Sequence, residues 1–116
     1  MDDSQLFETL TRAVPGLVWV CDAHGHVEFN NANWTEFTGL PQSHGLGQGW
    51  LDAIHPADAA AFRAQLPIDQ NTQENVQAEM RVRRHDGVFH RHLLNVRYVG
   101  DGKWVGCAID AHDWLT

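Results

Sequence analysis

Residues 74–99, ENVQAEMRVRRHDGVFHRHLLNVRYV, carry the pattern from which the rest of the chain can be organised. In the first half Val76, Ala78, Met80 and Val82 fall on one side and Gln77, Glu79, Arg81 and Arg83 on the other. That period of two is what a half-buried strand requires. The second half is less regular, but His90, His92, Leu94 and Val96 share a side. A two-residue turn at Asp86-Gly87 would set polar side chains against Leu94 and Val96. A three-residue loop, His85-Asp86-Gly87 with Gly87 left-handed, pairs apolar with apolar and is the predicted connection.

The next hairpin runs through VGDGKWVGCAID, residues 99–110. A two-residue turn at Asp101-Gly102 sets Val96 opposite Cys107 and Leu94 opposite Ile109, an apolar match. This register places His92 inward among Met80, Leu94, Cys107 and Ile109. It turns Arg91, Asn95, Arg97 and Asp110 outward.

Upstream, Leu6, Phe7, Leu10 and Val14 have the spacing of a helix stripe, closed by Pro15-Gly16. LVWVCD (17–22) reads as a short apolar strand, and HVEFN (26–30) follows a turn with Val27 and Phe29 on one face. Asn30 or Asn31 is placed to cap a helix over NANWTEFT, which Gly39 stops. Residues 40–49 are rich in turn formers. In GWLDAIHPADAAAF (49–62), Trp50, Leu51 and Ile54 point inward from a short helical turn. Pro56 disfavours helix at His55 but suits the first turn of a second helix, which is predicted to run to Pro67. His55 therefore sits at a junction where its ring can bond a freed backbone group, which outweighs a ligand role. The order is helix, two strands, a block of short helices, then three strands: an α+β domain with an antiparallel sheet covered on one face.

A chain of 116 residues with five tryptophans can bury a real core in one domain. A formal net charge of −7 argues against phosphate-backbone binding, so no nucleic-acid partner is expected. Eight histidines make the surface charge responsive near pH 6. No apolar run approaches a membrane span, and MDDSQLFETL lacks the basic start of a signal peptide. Cys21 and Cys107 read as buried reduced thiols, which points to a cytoplasmic location.

Four segments together resemble a PAS domain of the class found in bacterial sensor kinases and cyclic-nucleotide signalling enzymes: PGLVWVCDAHGHVEFNNANWTEFTGL, GWLDAIHPAD, MRVRRHDGVFHRHLLNVR and WVGCAID. They run in order from Val14 to Asp110. The resemblance implies a five-stranded antiparallel sheet ordered 2-1-5-4-3, with short helices cupping a small cavity. It implies a flanking helix over 1–15, the PAS domain over 16–112 and the start of a connector over 113–116. It further implies a homodimer through Leu6, Phe7, Leu10 and Val14, and an output domain such as a histidine kinase or cyclic-nucleotide enzyme. Asp110 matches the position that couples the last strand to the output helix, with Arg91 beside it. Two departures bear on that coupling: Arg91 stands where relatives often carry an aromatic, and Ala111-His112 follows Asp110 where Ile-Thr is common.

The cavity is expected to be lined by Trp34, Phe37, Leu51, Ile54, Phe62, Met80, His92, Leu94 and Ile109, an apolar wall with one polar group. The competing possibility is that these side chains fill the core and leave no void. His90 and His92 could offer two nitrogens to a metal, but a third ligand is hard to find. In the implied strand order His26 lies about 14 Å away, and His112 falls on the outer face. The helix after His55 holds no histidine, which weighs against haem. Both cysteines lie on strands, which weighs against a flavin adduct but leaves a cross-strand disulfide conceivable. No cofactor is named by any pattern. Without a nucleophile elbow, a phosphate loop or paired carboxylates, no catalysis is expected. The alternatives are a ligand-sensing module, a ligand-free dimerisation module, and a haem or metal carrier.

Overall fold

The computed structural model describes residues 2–72 and 74–115. Met1, the first residue of the expected flanking region, and Thr116, the last of the expected connector, lie outside the described residues. In chain order the elements are α1 (Asp3–Thr11), β1 (Leu17–Cys21), β2 (Val27–Asn30), α2 (Ala32–Thr38), two 3-10 turns (Gln42–Gly45 and Gly49–Ala53), α3 (Pro56–Ala64), β3 (Asn75–Arg83), β4 (Phe89–Gly100), β5 (Lys103–Asp110) and α4 (His112–Leu115). The five strands form one antiparallel sheet ordered β2-β1-β5-β4-β3. The helical block between β2 and β3 packs on one face, the inner one.

Asp2 opens α1 with a reciprocal cap: its carboxylate accepts from the Gln5 N–H at 2.7 Å, and the Gln5 side chain accepts from the Asp2 N–H at 3.0 Å. The helix stops at Thr11, short of Val14, whose carbonyl instead accepts from the Asn33 side chain at 2.8 Å. Asn31 occupies the N-cap position of α2 but does not cap with its side chain. Its amide is drawn inward, accepting from the Val18 N–H and donating to the Gly16 carbonyl. The vacant cap is taken by the Glu8 carboxylate, which accepts from the Ala32 N–H at 3.2 Å and so ties α1 to α2. His55 does serve as punctuation: its Nδ1 accepts from the Ala57 N–H at 3.1 Å, and Pro56 follows as the first residue of α3. That helix ends at Ala64, sooner than the run to Pro67 suggested.

In the first hairpin the expected register holds. Met80 faces His92, Ala78 faces Leu94 and Val76 faces Val96, and Gly87 has φ +89°. The second hairpin differs by one residue. Asp101 (φ 54°) and Gly102 (φ 72°) form the expected two-residue turn, with Gly100 opposite Lys103. Val99 is then an extra residue: Tyr98 sits opposite Trp104, so Val96 faces Gly106 and Leu94 faces Ala108. Trp104, Gly106 and Ala108 are therefore buried on the inner face. Ile109, expected in the cavity, is turned to the outer face opposite Leu93. Cys107 turns the same way opposite Val18, while Cys21 is inward opposite Trp104. The two thiols lie on opposite faces and three rungs apart, which rules out the conceivable disulfide.

The inner face carries two contiguous clusters. Leu17, Trp34, Leu51, Ile54, Met80 and Leu94 form one; Cys21, Val27, Val96 and Trp104 form the other, with Trp19 and Trp50 packed against both. Trp19 lies directly on Gly106, where a Cβ would fall 2.1 Å from its ring. Replacing Gly106 by Ala must displace that indole or bend β5. The expected cost is about 1–3 kcal/mol, read as a lowered urea midpoint with unchanged slope. An unshifted midpoint would show that the Trp19–Gly106 contact is not a constraint.

Candidate functional site

Among the described residues, three of the spaces on the inner side of the sheet take up seven of the nine expected cavity residues, all but Leu51 and Ile109. Trp34, Ile54, Met80 and Leu94 border a void of about 40 Å³ beneath the helices. Leu51 is sealed in the core behind it, only 3% exposed. A space of that size holds about one water, so at this point the tightly filled core prevails over a roomy cavity. Its one notable polar feature is Asn30, whose Oδ1 is buried without a partner among the described residues.

A second space, a cleft of about 390 Å³, lies between α3 with the chain that follows it and the inner side of β3 and β4. Phe62, Met80 and Leu94 belong to it, as do Trp19, Trp50, Leu66, Ile68, Val76, Ala78 and Val96, which sequence reasoning did not assign. The signal for the missed residues was present in part. Trp19 shares a strand face with Leu17 and Cys21, and Leu66-Pro67-Ile68 is an apolar segment just past a helix. The cleft is framed by fixed points. Trp50 donates from Nε1 to the Gly25 carbonyl at 2.9 Å, and the Ile68 N–H donates to the Ala23 carbonyl at 2.9 Å. Arg81 donates to both oxygens of Asp58 at 3.0 Å, clamping α3 to the edge strand. The guanidinium, and the Arg81 N–H besides, hold the Asp58 carboxyl below its usual range against the opposing effect of partial burial.

The third space is an open groove of about 310 Å³ bordered by Phe37, His92, Asp110, Glu36, Arg84 and His85. His92 and Phe37 thus separate from the remaining cavity residues. His92 is 1% exposed, with the Phe37 ring edge-on at 4.9 Å. Its Nδ1 lies 3.0 Å from the His90 carbonyl, which can only accept, so the neutral ring carries its proton on Nδ1. Burial lowers the His92 pKa from its ordinary 6.5, opposed by the His90 carbonyl and the Asp110 charge.

Asp110 sits opposite His92 in the ladder and on its face, not outward as expected. Its carboxylate meets His90 Nδ1 at 2.9 Å and accepts from the His112 N–H at 3.0 Å. Partial burial opposes ionisation there, but these hydrogen bonds outweigh it and the pKa is lowered. The His112 ring stacks on His90 at 4.2 Å, which corrects its expected place on the outer face. Arg91 joins the same exit: its carbonyl accepts from the Ala111 N–H at 2.9 Å, and its Nε meets Glu79 at 3.2 Å. Among the described residues no three His, Cys, Asp or Glu side chains are grouped to hold a metal ion.

Because folding depresses the His92 pKa, the unfolded chain binds more protons below its ordinary value near 6.5. Stability from this group is complete above that pH and falls as pH drops toward the folded pKa. The slope cannot exceed about 1.4 kcal/mol per pH unit for one proton. His92 is faced by His90 and Asp110, with Glu36, Arg84 and His85 around the groove. Urea midpoints from pH 7.5 to 5.5 should therefore fall more steeply in the native chain than in His92→Gln. Parallel slopes would exclude His92 as a source of the dependence.

A family model described as the PAS fold matches residues 5–111. Among curated relatives, the peroxide stress-activated histidine kinase mak2 of Schizosaccharomyces pombe is 30% identical over 110 residues. The uncharacterized protein y4lL of Sinorhizobium fredii is 28% identical over 102 residues. These alignments cover 90% and 86% of this chain but only 5% and 12% of the relatives. The chain therefore spans a small fraction of their length. The PAS domain of the RpfR quorum-sensing receptor from Cronobacter turicensis, solved in complex with BDSF, superimposes with a TM-score of 0.70 at 20% identity, over 84% of this chain and 94% of that one. A PAS domain from Colwellia psychrerythraea gives a TM-score of 0.73 at 16% identity, over 97% and 99%. The sheet order, the helical block over one face and the match to nearly all of the sequence lead to one conclusion: the chain belongs to the PAS family.

Proposed function

We propose that this PAS domain is a non-catalytic sensory module of a signal-transduction protein and that its ligand site is the 390 Å³ cleft between α3 and β3–β4. The observation that carries the reading is the contrast in size: the void under the helices has room for about one water, whereas the cleft has room for a small organic molecule. Support comes from the likeness to the RpfR domain, whose structures contain BDSF and C12:0. A ligand in the cleft would press on Phe62 of α3 and on Met80 and Leu94 of the sheet. The Arg81–Asp58 clamp transmits a displacement of α3 to β3, and Arg91 and Asp110 carry a displacement of the sheet to the chain beyond β5. The proposed output is a histidine kinase or a cyclic-nucleotide enzyme, the former supported by the relationship to mak2. A cytoplasmic location belongs to the same proposal, as for a chain with two cysteines and no disulfide framework.

Native mass spectrometry of freshly purified protein tests the site. Extra mass released on denaturation is expected, and Ala78→Trp should abolish it. Ala78 is an exposed cleft residue, so stability should stay within about 0.5 kcal/mol of the native chain. Ligand retained by a folded Ala78→Trp would place the site elsewhere.

A second reading, dimerisation through α1, is favoured by one observation. Phe7 stacks on Phe29 at 5.7 Å, whereas Leu6 and Leu10 of the same helix are 47% and 69% exposed. Light scattering should give twice the chain mass for the native protein and a monomer for the Leu6→Glu, Leu10→Glu double variant. A monomeric native chain at high micromolar concentration would sink it.

A further inference from the structure

The aromatic walls of the cleft and the charges at its border define the head group it can accept. Trp19, Trp50 and Phe62 each contribute partly buried ring surface to it. None is free to swing away: Trp50 is tied to Gly25, Trp19 rests on Gly106, and Phe62 meets Trp50 edge-on at 5.1 Å. Ring faces are electronegative and attract cations, indole most strongly. Among the described residues, the charged side chains bordering the cleft are all acidic, namely Asp58, Asp69 and Glu79, beside the buried Cys21 thiol, and no Lys, Arg or His lines it. Two of the three are already matched, Asp58 by Arg81 and Glu79 by Arg91. Asp69 has no cationic partner among the described residues, and its Oδ1 accepts only the Asn71 N–H at 2.9 Å. A carboxylate entering this cleft would give up water and meet no cation among the described lining residues, the nearby Arg81 and Arg91 being matched by Asp58 and Glu79, in a chain of net charge −7.

Resting on the assignment of the cleft as a ligand site, we propose that its ligand is a hydrophobic organic cation, an alkyl- or arylammonium whose charged end lies by the indoles and Asp69 and whose apolar part lies along Met80, Leu94 and Val96. An ammonium exchanges part of its hydration for ring faces and a carboxylate, and the same apolar tail with an anionic head has neither.

The test uses three probes of one chain length: dodecyltrimethylammonium, dodecanol and dodecanoate, each below its micellar concentration. Binding is followed by tryptophan fluorescence and calorimetry at pH 7.5, with circular dichroism to confirm that the fold persists. The ammonium is expected to bind about tenfold or more tighter than dodecanoate, the scale of one desolvated cation–ring contact. Asp69→Asn keeps the acceptor for Asn71 and should narrow that ratio by roughly two- to fivefold, as suits a partly exposed charge pair. Ala78→Trp should remove binding of all three. Dodecanoate binding as tightly as the ammonium, and blocked by Ala78→Trp, would overturn the cation assignment and leave the cleft as the ligand site. Ammonium binding indifferent to Ala78→Trp would also overturn it, as adsorption to an acidic surface. If none of the three binds the native chain, the cleft assignment itself fails.

Discussion

The burial of Trp104 is the constraint on which the rest of the sheet depends. Its side chain is completely buried and its Nε1 has no hydrogen-bond partner among the described residues. An orphaned N–H costs about 1–3 kcal/mol. Removing an indole of about 200 Å² from water contributes roughly 5 kcal/mol at 25 cal/mol per Å². Burial wins, and the phase of β5 follows. With Trp104 inward, Gly106 and Ala108 are inward too, and these small residues let Trp19 and Leu17 from β1 lie close against the strand. A phase shifted by one residue would send the indole to the outer face and bring Ile109 and Cys107 in. The bulge at Val99 is the local distortion that reconciles this phase with the tight turn at Asp101-Gly102.

That phase also divides the inner face chemically. Along β4 the buried positions read His90, His92, Leu94, Val96, so one end of the strand is polar and the other apolar. The apolar end, faced by Val76 and Ala78 across the β3 ladder, supplies the floor of the cleft, with Met80 at its margin opposite His92. The polar end meets Asp110, which the register brings opposite His92 where the chain leaves the sheet. The cleft and the exit of the chain are thus set apart on one strand, with Leu94 and His92 two residues apart at the boundary.

Much of this was legible beforehand, for physical reasons that can be named. The β3–β4 register could be read because both strands alternate cleanly and only one loop length pairs like with like. His55 was legible as a cap because a residue before proline is pushed out of helical conformation. The bulge was not, since hydrophobic matching alone favours Cys107 and Ile109 over Gly106 and Ala108, and the deciding term is tertiary, the burial of Trp104. Asn31 misled for a related reason. An asparagine before a helix is a natural cap, but here the buried ends of β1 offered it better partners and Glu8 came from outside the segment to replace it. The site was only half visible because a cleft is the space between side chains. The residues that could fill it were nameable, and how far α3 and Leu66–Ile68 stand off the sheet was not.

The separation of cleft and exit determines what a coupling mechanism has to do. Among the described residues none borders both the cleft and the groove at Asp110, and the two spaces adjoin where Met80 lies opposite His92 and Glu79 meets Arg91. Backbone joins them as well. The Arg81 N–H donates to Asp58 and its carbonyl accepts from the His55 N–H, so α3 is fastened at both ends of one β3 residue. Arg81 lies opposite Arg91 in the ladder, and the Arg91 carbonyl holds the Ala111 N–H. Under the proposed function, a movement of α3 would reach the residue after Asp110 through two adjacent strands, from Arg81 to its ladder partner Arg91 and on to Ala111. The arrangement of Arg81, Arg91 and Ala111 in one line across the sheet edge is the feature of this fold most directly suited to carrying a signal out of it.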